Sequence, residues 1–304
     1  MTSNIQDDDQ VIHVEGIDEE PVETNRRLFT GSNMAIVATL SMLYALVHML
    51  ALNGVSIYEW TGMSLPFLPS FPVETWNFRI LHVAGALGLG FILFAGRMFS
   101  EGDKETPILG YAAYLLMLPA LYSLFTVFTF AQQISAGAMW NGIDKSIRFY
   151  EIWSYGVPLM VATLGSIVLS WFHKRERASI SSVDVVLALC SASVAAYLIV
   201  IFGTLMRNST GTSFAPIGIS IAALAGVSLI MELTRRVAGL ALVVIAAVFL
   251  IYVFTGQYLP SFLNSPEITW TRFFSQVYTD AGILGPTTAV SSTYIILFII
   301  FAAF

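Results

Sequence analysis

The segment 232–304 decides the fold: it opens Glu232-Leu-Thr-Arg-Arg-Val-Ala-Gly239 and closes Ser291-Ser-Thr-Tyr-Ile-Ile-Leu-Phe-Ile-Ile-Phe-Ala-Ala-Phe304. Two apolar runs lie in it, 237–256 and another beginning near Thr288. A run of about 18 such residues is the length a helix needs to cross the hydrocarbon of a bilayer. Between them stands a polar and aromatic loop with Gly256-Gln-Tyr-Leu-Pro260 and Tyr278-Thr-Asp-Ala-Gly-Ile-Leu-Gly-Pro286. The pattern predicts helices that span a membrane, joined by a loop at its surface.

The rest of the chain repeats the pattern. Over its 304 residues 56% are apolar and 11% charged, which excludes a soluble fold. The net charge of -6 is concentrated in the first 25 residues, which hold eight acids and no Lys or Arg and leave the remainder at +2. Such a segment has too little apolar surface to offset the entropy of ordering, and residues 1–30 are expected to form an acidic, disordered cytoplasmic tail. It has neither the basic nor the apolar region of a secretory signal, so the first span should remain as an anchor. Cys190, the single cysteine, can form no intrachain disulfide and reads as a small packing residue. Basic residues occur in ones and twos between spans, which gives no nucleic-acid patch.

The spans read as 34–52, 78–99, 107–130, 152–172, 183–206, 214–231 and 237–256, with an eighth from about Thr288. The fold class is all-α, a polytopic integral membrane helical bundle of about eight transmembrane helices. With the N-terminus inside, nine basic residues fall on inner segments and five on outer ones, namely Arg79, Lys145, Arg148, Arg207 and Arg272. That bias sets the expected orientation. Arg79 and Arg97 stand at the two ends of the second span, from which each can snorkel. Pro119 and Pro158 should kink the third and fourth spans.

Small residues recur every four positions at Gly218, Ala222 and Gly226, and at Ala84 with Gly88, and mark faces where another helix backbone can approach. Trp270, Phe273, Phe274, Val277 and Tyr278 share one helical face. Asn264 and Ser265 can cap the start of this short helix, which lies in the membrane interface or serves as a packed connector.

Candidate chemistry is sparse. His48 and His82 are the histidines inside spans, both toward the outer ends of antiparallel neighbours. They form a proton relay, a bis-histidine haem site, or two imidazoles hydrogen-bonded to nearby helices. Arg79 attracts an anionic substrate or anchors its span. Glu59 and Glu74, in the loop 53–77, meet a basic patch on a soluble partner or stay solvated. Glu232 with Arg235 and Arg236 reads as a surface turn paired at i+3 and i+4, worth tenths of a kcal/mol. No metal-ligand spacing, nucleophile elbow, dinucleotide fingerprint or Walker loop occurs, so no enzyme activity and no ATP-driven step is expected of the chain.

Several short motifs in order resemble the fused permeases of tripartite ATP-independent periplasmic (TRAP) transporters of the TAXI type. They are Thr234-Arg-Arg-Val-Ala-Gly239, Leu250-Ile-Tyr252, Leu259-Pro260, Gly282-Ile-Leu-Gly285 and Ser291-Ser-Thr-Tyr294, with weaker matches at Arg26-Arg-Leu-Phe29 and Trp76-Asn-Phe-Arg-Ile80. The resemblance implies a small-subunit-like four-helix membrane domain at 31–180, a connecting helix at 181–213 and the start of the large permease domain at 214–304. It implies an inner-membrane scaffold for sodium-coupled import of organic acids or related anions, delivered by a periplasmic solute-binding protein to the outer loops. The hairpins that hold sodium and substrate in such permeases lie beyond these motifs, so no binding residue carries over and no cofactor is expected here. The partners implied are the binding protein, the remainder of the large permease domain or a second permease chain, and membrane lipid. The alternatives are a haem-binding membrane anchor of a redox complex and a structural assembly subunit.

Overall fold

The computed structural model of the protein describes residues 25–53, 75–99, 106–138, 140, 142–201, 215–279 and 281–303. Glu59 and Glu74 lie outside the described residues, as do residues 1–24 of the acidic tail. The described residues form an all-α bundle with one isolated β-bridge, Arg26 to Phe94.

Seven of its helices are long and apolar enough to cross a membrane. They are α1 (Gly31–Leu52), α2 (Thr75–Leu93), α3 (Pro107–Ser135), α4 (Lys145–Phe172), α5 (Ser182–Ile201), α6 (Ile217–Ala238) and α7 (Leu240–Tyr258). A short α8 (Trp270–Val277) and a 17-residue apolar α9 (Pro286–Ala302) follow. α9 corresponds to the expected eighth span but is shorter than the others. Leu93 ends α2, so Arg97 lies beyond the helix and not at its last turn. Gly239, at φ +87, separates α6 from α7, a conformation that favours glycine. The turn therefore falls three residues later than the charges suggest, and Arg235 and Arg236 occupy the last turn of α6.

Burial divides the helices into a centre and a rim. Of the apolar windows of α5 and α6, 61% is buried, against 11% for α1 and 6% for α7. α5 packs on α2, α3, α4 and α6. α7 buries no side chain, and Leu240, Val244, Val248 and Ile251 all stand exposed. A helix apolar on every side is at rest only in lipid or against another apolar surface.

The centre is built of aromatic rings set into small-residue gaps. Tyr155 and Tyr197 stack with centroids 4.4 Å apart, and Phe130 closes on Trp140 at 4.6 Å. Tyr197 fills the hollow at Gly218, where a Cβ would stand 2.1 Å from its hydroxyl, and Tyr278 fills the hollow at Gly226 in the same way. The stripe Gly218, Ala222, Gly226 thus receives tyrosine side chains at both ends, not a helix backbone. Ala84 and Gly88 of α2 face α5: a Cβ at Gly88 would meet Ala188 Cβ at 3.9 Å, and the Ser191 hydroxyl donates to the Ala84 carbonyl.

α4 carries a six-residue π-helical segment, Glu151–Gly156, just before Pro158. Pro158 has no N–H for the carbonyl of Ser154 four residues back, and the Thr126 hydroxyl of α3 donates to that carbonyl at 3.0 Å. Pro119 is accommodated within the continuous α3. α8 begins at Trp270 with no side-chain cap; Asn264 donates instead to the carbonyls of Gln257 and Leu259. Its Phe274 and Tyr278 are buried while Trp270 is exposed, and Ser220 of α6 donates to the Thr271 carbonyl at 2.7 Å. The helix is a packed connector on α6.

Candidate functional site

One end of the bundle is closed by a buried network of charge. Residues 25–30 approach α2 as an extended segment, with Arg27 N donating to the Leu93 carbonyl and Ala95 N to that of Asn25, both at 2.9 Å. This docking brings the Arg27 guanidinium inward, where it donates to Asp184 in the first turn of α5 and to the Ser179 carbonyl. Arg236 reaches the other oxygen of Asp184 at 2.7 Å and the Phe94 carbonyl at 2.8 Å, and lies 5.0 Å from the centre of the Phe91 ring. Its Nε donates to Glu232 Oε1 at 2.8 Å.

Glu232 is held from several directions. Arg235 donates to both of its oxygens, Ser170 to Oε1 at 2.9 Å and Trp171 to Oε2 at 3.2 Å, the last two from α4. Glu232 is 3% exposed, Asp184 2% and Arg236 5%, so the expected surface turn is a buried network instead. Partner loss is far more costly in such a place, roughly 3–5 kcal/mol against tenths at a surface. Three guanidiniums and two carboxylates tie the N-terminal segment, α4, α5 and α6 into one unit. Beside it, burial lowers the pKa of His173, just beyond the end of α4, below the ordinary histidine value, with Asp184 opposing. At the other end of α4, Ser146 donates to Asp144 through hydroxyl and amide and lowers that carboxyl's pKa.

The two span histidines do meet. His48 Nδ1 faces the Tyr44 carbonyl at 2.8 Å, an acceptor only, so this nitrogen carries the proton in the neutral ring. His48 Nε2 then accepts from His82 Nδ1 at 2.9 Å, and His82 Nε2 accepts from the Ser291 hydroxyl of α9 at 3.0 Å. The tautomers follow from the one fixed acceptor. The result is a directed chain of hydrogen bonds through α1, α2 and α9. Two nitrogens that ligate one metal at about 2.0–2.1 Å each would stand about 4 Å apart on either side of it. Here they bond directly, and this arrangement does not fit a bis-histidine haem. His82 and Ser291 border an apolar cleft of about 820 Å³.

Arg79 donates to the Leu284 carbonyl at 2.6 Å, which ties α2 to the turn before α9. That turn needs glycine at 282, where a Cβ would stand 2.0 Å from the Val277 carbonyl oxygen. A further buried acid, Glu151, accepts from Trp140 at 2.7 Å, Tyr197 at 2.5 Å and the backbone N–H of Gly218 at 3.1 Å. α6 has Pro216 at its N-cap and no cap of its own, and Glu151 of α4 supplies the acceptor that its first turn lacks. Among the described residues no group of three His, Cys, Asp or Glu is placed to hold a metal ion.

Sequence reasoning missed Asp184 and Glu151. Each sits at the edge of an apolar run, where an acid ordinarily marks the membrane boundary. Fold and buried polar network together define a multi-pass α-helical membrane protein. No family model, curated protein or solved structure matches the chain.

Proposed function

We propose that this chain is a permease component of a sodium-coupled, binding-protein-dependent secondary transporter of the TRAP type, importing organic acids or related anions across an inner membrane. Its part in that machine is mainly the fixed scaffold. The observation that carries the reading is the buried network of Arg27, Asp184, Arg236, Glu232 and Arg235. A joint that costs several kcal/mol to open suits a frame that stays still while another part of the permease moves.

The motifs behind the resemblance also do structural work. Arg27 comes from the first of them, Arg235 and Arg236 from the turn at 234–239, and Ser291 from the start of α9. Arg79 and Leu284, which bond to each other, belong to two more. In this reading the end bearing the charge network faces the cytoplasm, as the positive-inside bias suggests. The opposite loops receive a periplasmic TAXI-type binding protein, and the moving, sodium-binding part belongs to further permease polypeptide.

Reconstitution tests it. The chain is placed in proteoliposomes with the remaining permease domain and a TAXI-type binding protein loaded with an organic acid. Uptake that needs the sodium gradient, the binding protein and this chain together is the expected result. Uptake that persists when this chain is left out removes it from the transporter.

A further inference from the structure

The charge network borders a cavity of about 210 Å³, several times the ~30 Å³ share of one water in liquid. Five cations line it: Arg27, Arg97, Lys174, Arg175 and Arg177. Two acids line it as well, Asp184 and Glu176, and Asp184 is already shared between Arg27 and Arg236. Among the described residues the lining therefore carries more cations than acids. Arg27 is 5% exposed, and two of its nitrogens are engaged by Asp184 and Ser179, but its Nε is buried without a hydrogen-bond partner. His173, on the same wall, has a buried Nε2 in the same condition. Guanidiniums grouped at a basic cavity suit an acceptor with several oxygens.

The position of the cavity narrows the choice. A second cavity of about 240 Å³ shares His173, Lys174 and Arg175 with the first and adds Tyr111 and Tyr114 from the first turns of α3. Both tyrosines are exposed on the outer face of the bundle, and Met98 on the rim of the first cavity is 61% exposed. Cations thus lie at the helix ends, with apolar and aromatic side chains beginning directly beside them. Basic pockets between helix ends of this kind suit the phosphate of an anionic lipid, whose chains then run down the adjoining surface.

We propose that this pair of cavities binds the phosphate headgroup of an anionic phospholipid in the leaflet at this end of the bundle. Arg97 and Arg175 receive the phosphate, and Tyr111 and Tyr114 flank the glycerol and upper acyl chains.

The test uses the detergent-purified chain and native mass spectrometry. Phosphatidylglycerol, phosphatidylcholine and inorganic phosphate are titrated separately. The expected result is a retained phosphatidylglycerol adduct, with phosphatidylcholine held at least about tenfold more weakly. The exposed pair Arg97→Gln and Arg175→Gln, outside the buried network, should weaken the phosphatidylglycerol adduct at least about tenfold. The pair Lys145→Gln and Arg148→Gln, at the start of α4 and away from the cavity, should leave it unchanged. Equal retention of the two lipids, or no loss in the Arg97 and Arg175 variant, overturns the proposal. Inorganic phosphate binding as tightly as the lipid overturns the lipid assignment in favour of a soluble anion.

Discussion

Arg236 of α6 and Asp184 of α5 bond at 2.7 Å with their side chains 0% and 3% exposed, and Asp184 is at the same time the partner of Arg27. One carboxylate therefore neutralises two guanidiniums from segments far apart in the chain. Asp184→Asn leaves both cations buried and underpaired. A loss of about 3–5 kcal/mol is expected, read as a fall in unfolding midpoint in detergent. Arg235→Gln removes a partly exposed arm of the same network and should cost clearly less. Equal effects of the two changes would mean that the network is not centred on Asp184.

The tyrosine-filled hollows on α6 lead to a second expectation. Alanine is a better helix former than glycine by about 1 kcal/mol, so a Gly→Ala change in a helix helps wherever there is room. Gly88 has room, and Gly88→Ala should be neutral or stabilising. Gly226→Ala drives a methyl into the Tyr278 ring and should cost about 1–3 kcal/mol net. Tyr278→Phe removes a buried hydroxyl that has no hydrogen-bond partner, so alone it should be nearly neutral, and it should recover part of the Gly226→Ala loss. Thermal midpoints of the four proteins check the series.

Acid should weaken the basic end through His173. Its pKa is lowered by burial, against the opposing effects of Asp184 and of its hydrogen bond with Thr106. The unfolded chain therefore takes up the proton first, near the ordinary value of 6.5. The contribution to stability is whole above that pH and is lost as the pH falls through the lower, folded value. Unfolding midpoints should drop as the pH falls below about 6.5, and His173→Gln should flatten that part of the curve. An unchanged slope in the variant would show that other groups carry the dependence.

His82 joins α1, α2 and α9, so His82→Ala should leave His48 Nε2 and the Ser291 hydroxyl without partners. A cost of about 1–3 kcal/mol and faster hydrogen exchange in α9 are expected. Protection of α9 equal to that of the parent protein would show that the histidine chain does not hold this helix.

Much of this architecture could be read from the chain, because a bilayer permits few solutions. Apolar runs located the spans, although some ends differ by as much as seven residues, as at Lys145 for an expected 152 and Ala238 for an expected 231, and the shared depth of His48 and His82 was visible from their places in antiparallel neighbours. The meaning of each charge was not. Glu232, Arg235 and Arg236 look like a local surface pair because i+3 and i+4 spacing describes one helix only. What buries them is Ser170 and Trp171 from α4 and Asp184 from α5, contacts that no local pattern encodes. Asp184 stands at the edge of an apolar run, and its partner Arg27 lies 157 positions away, inside the segment 1–30 expected to be disordered. The small-residue stripe on α6 was legible as a packing face, but a glycine admits a tyrosine ring as readily as a backbone, and the sequence does not say which arrives. Whether Glu59 and Glu74 meet a partner is a question about residues outside those described.

The central claim is that α2 and α5 belong to a stationary frame. A Cβ at Gly88 would stand 3.9 Å from that of Ala188, within the range of a disulfide, so Gly88→Cys with Ala188→Cys, in a Cys190→Ala background, can lock the two helices together. The measurement is sodium-driven uptake by the reconstituted transporter before and after oxidation. The account predicts that uptake continues at an unchanged rate with the cross-link formed. Uptake that stops on oxidation and returns on reduction would show that these helices move during transport and would contradict it.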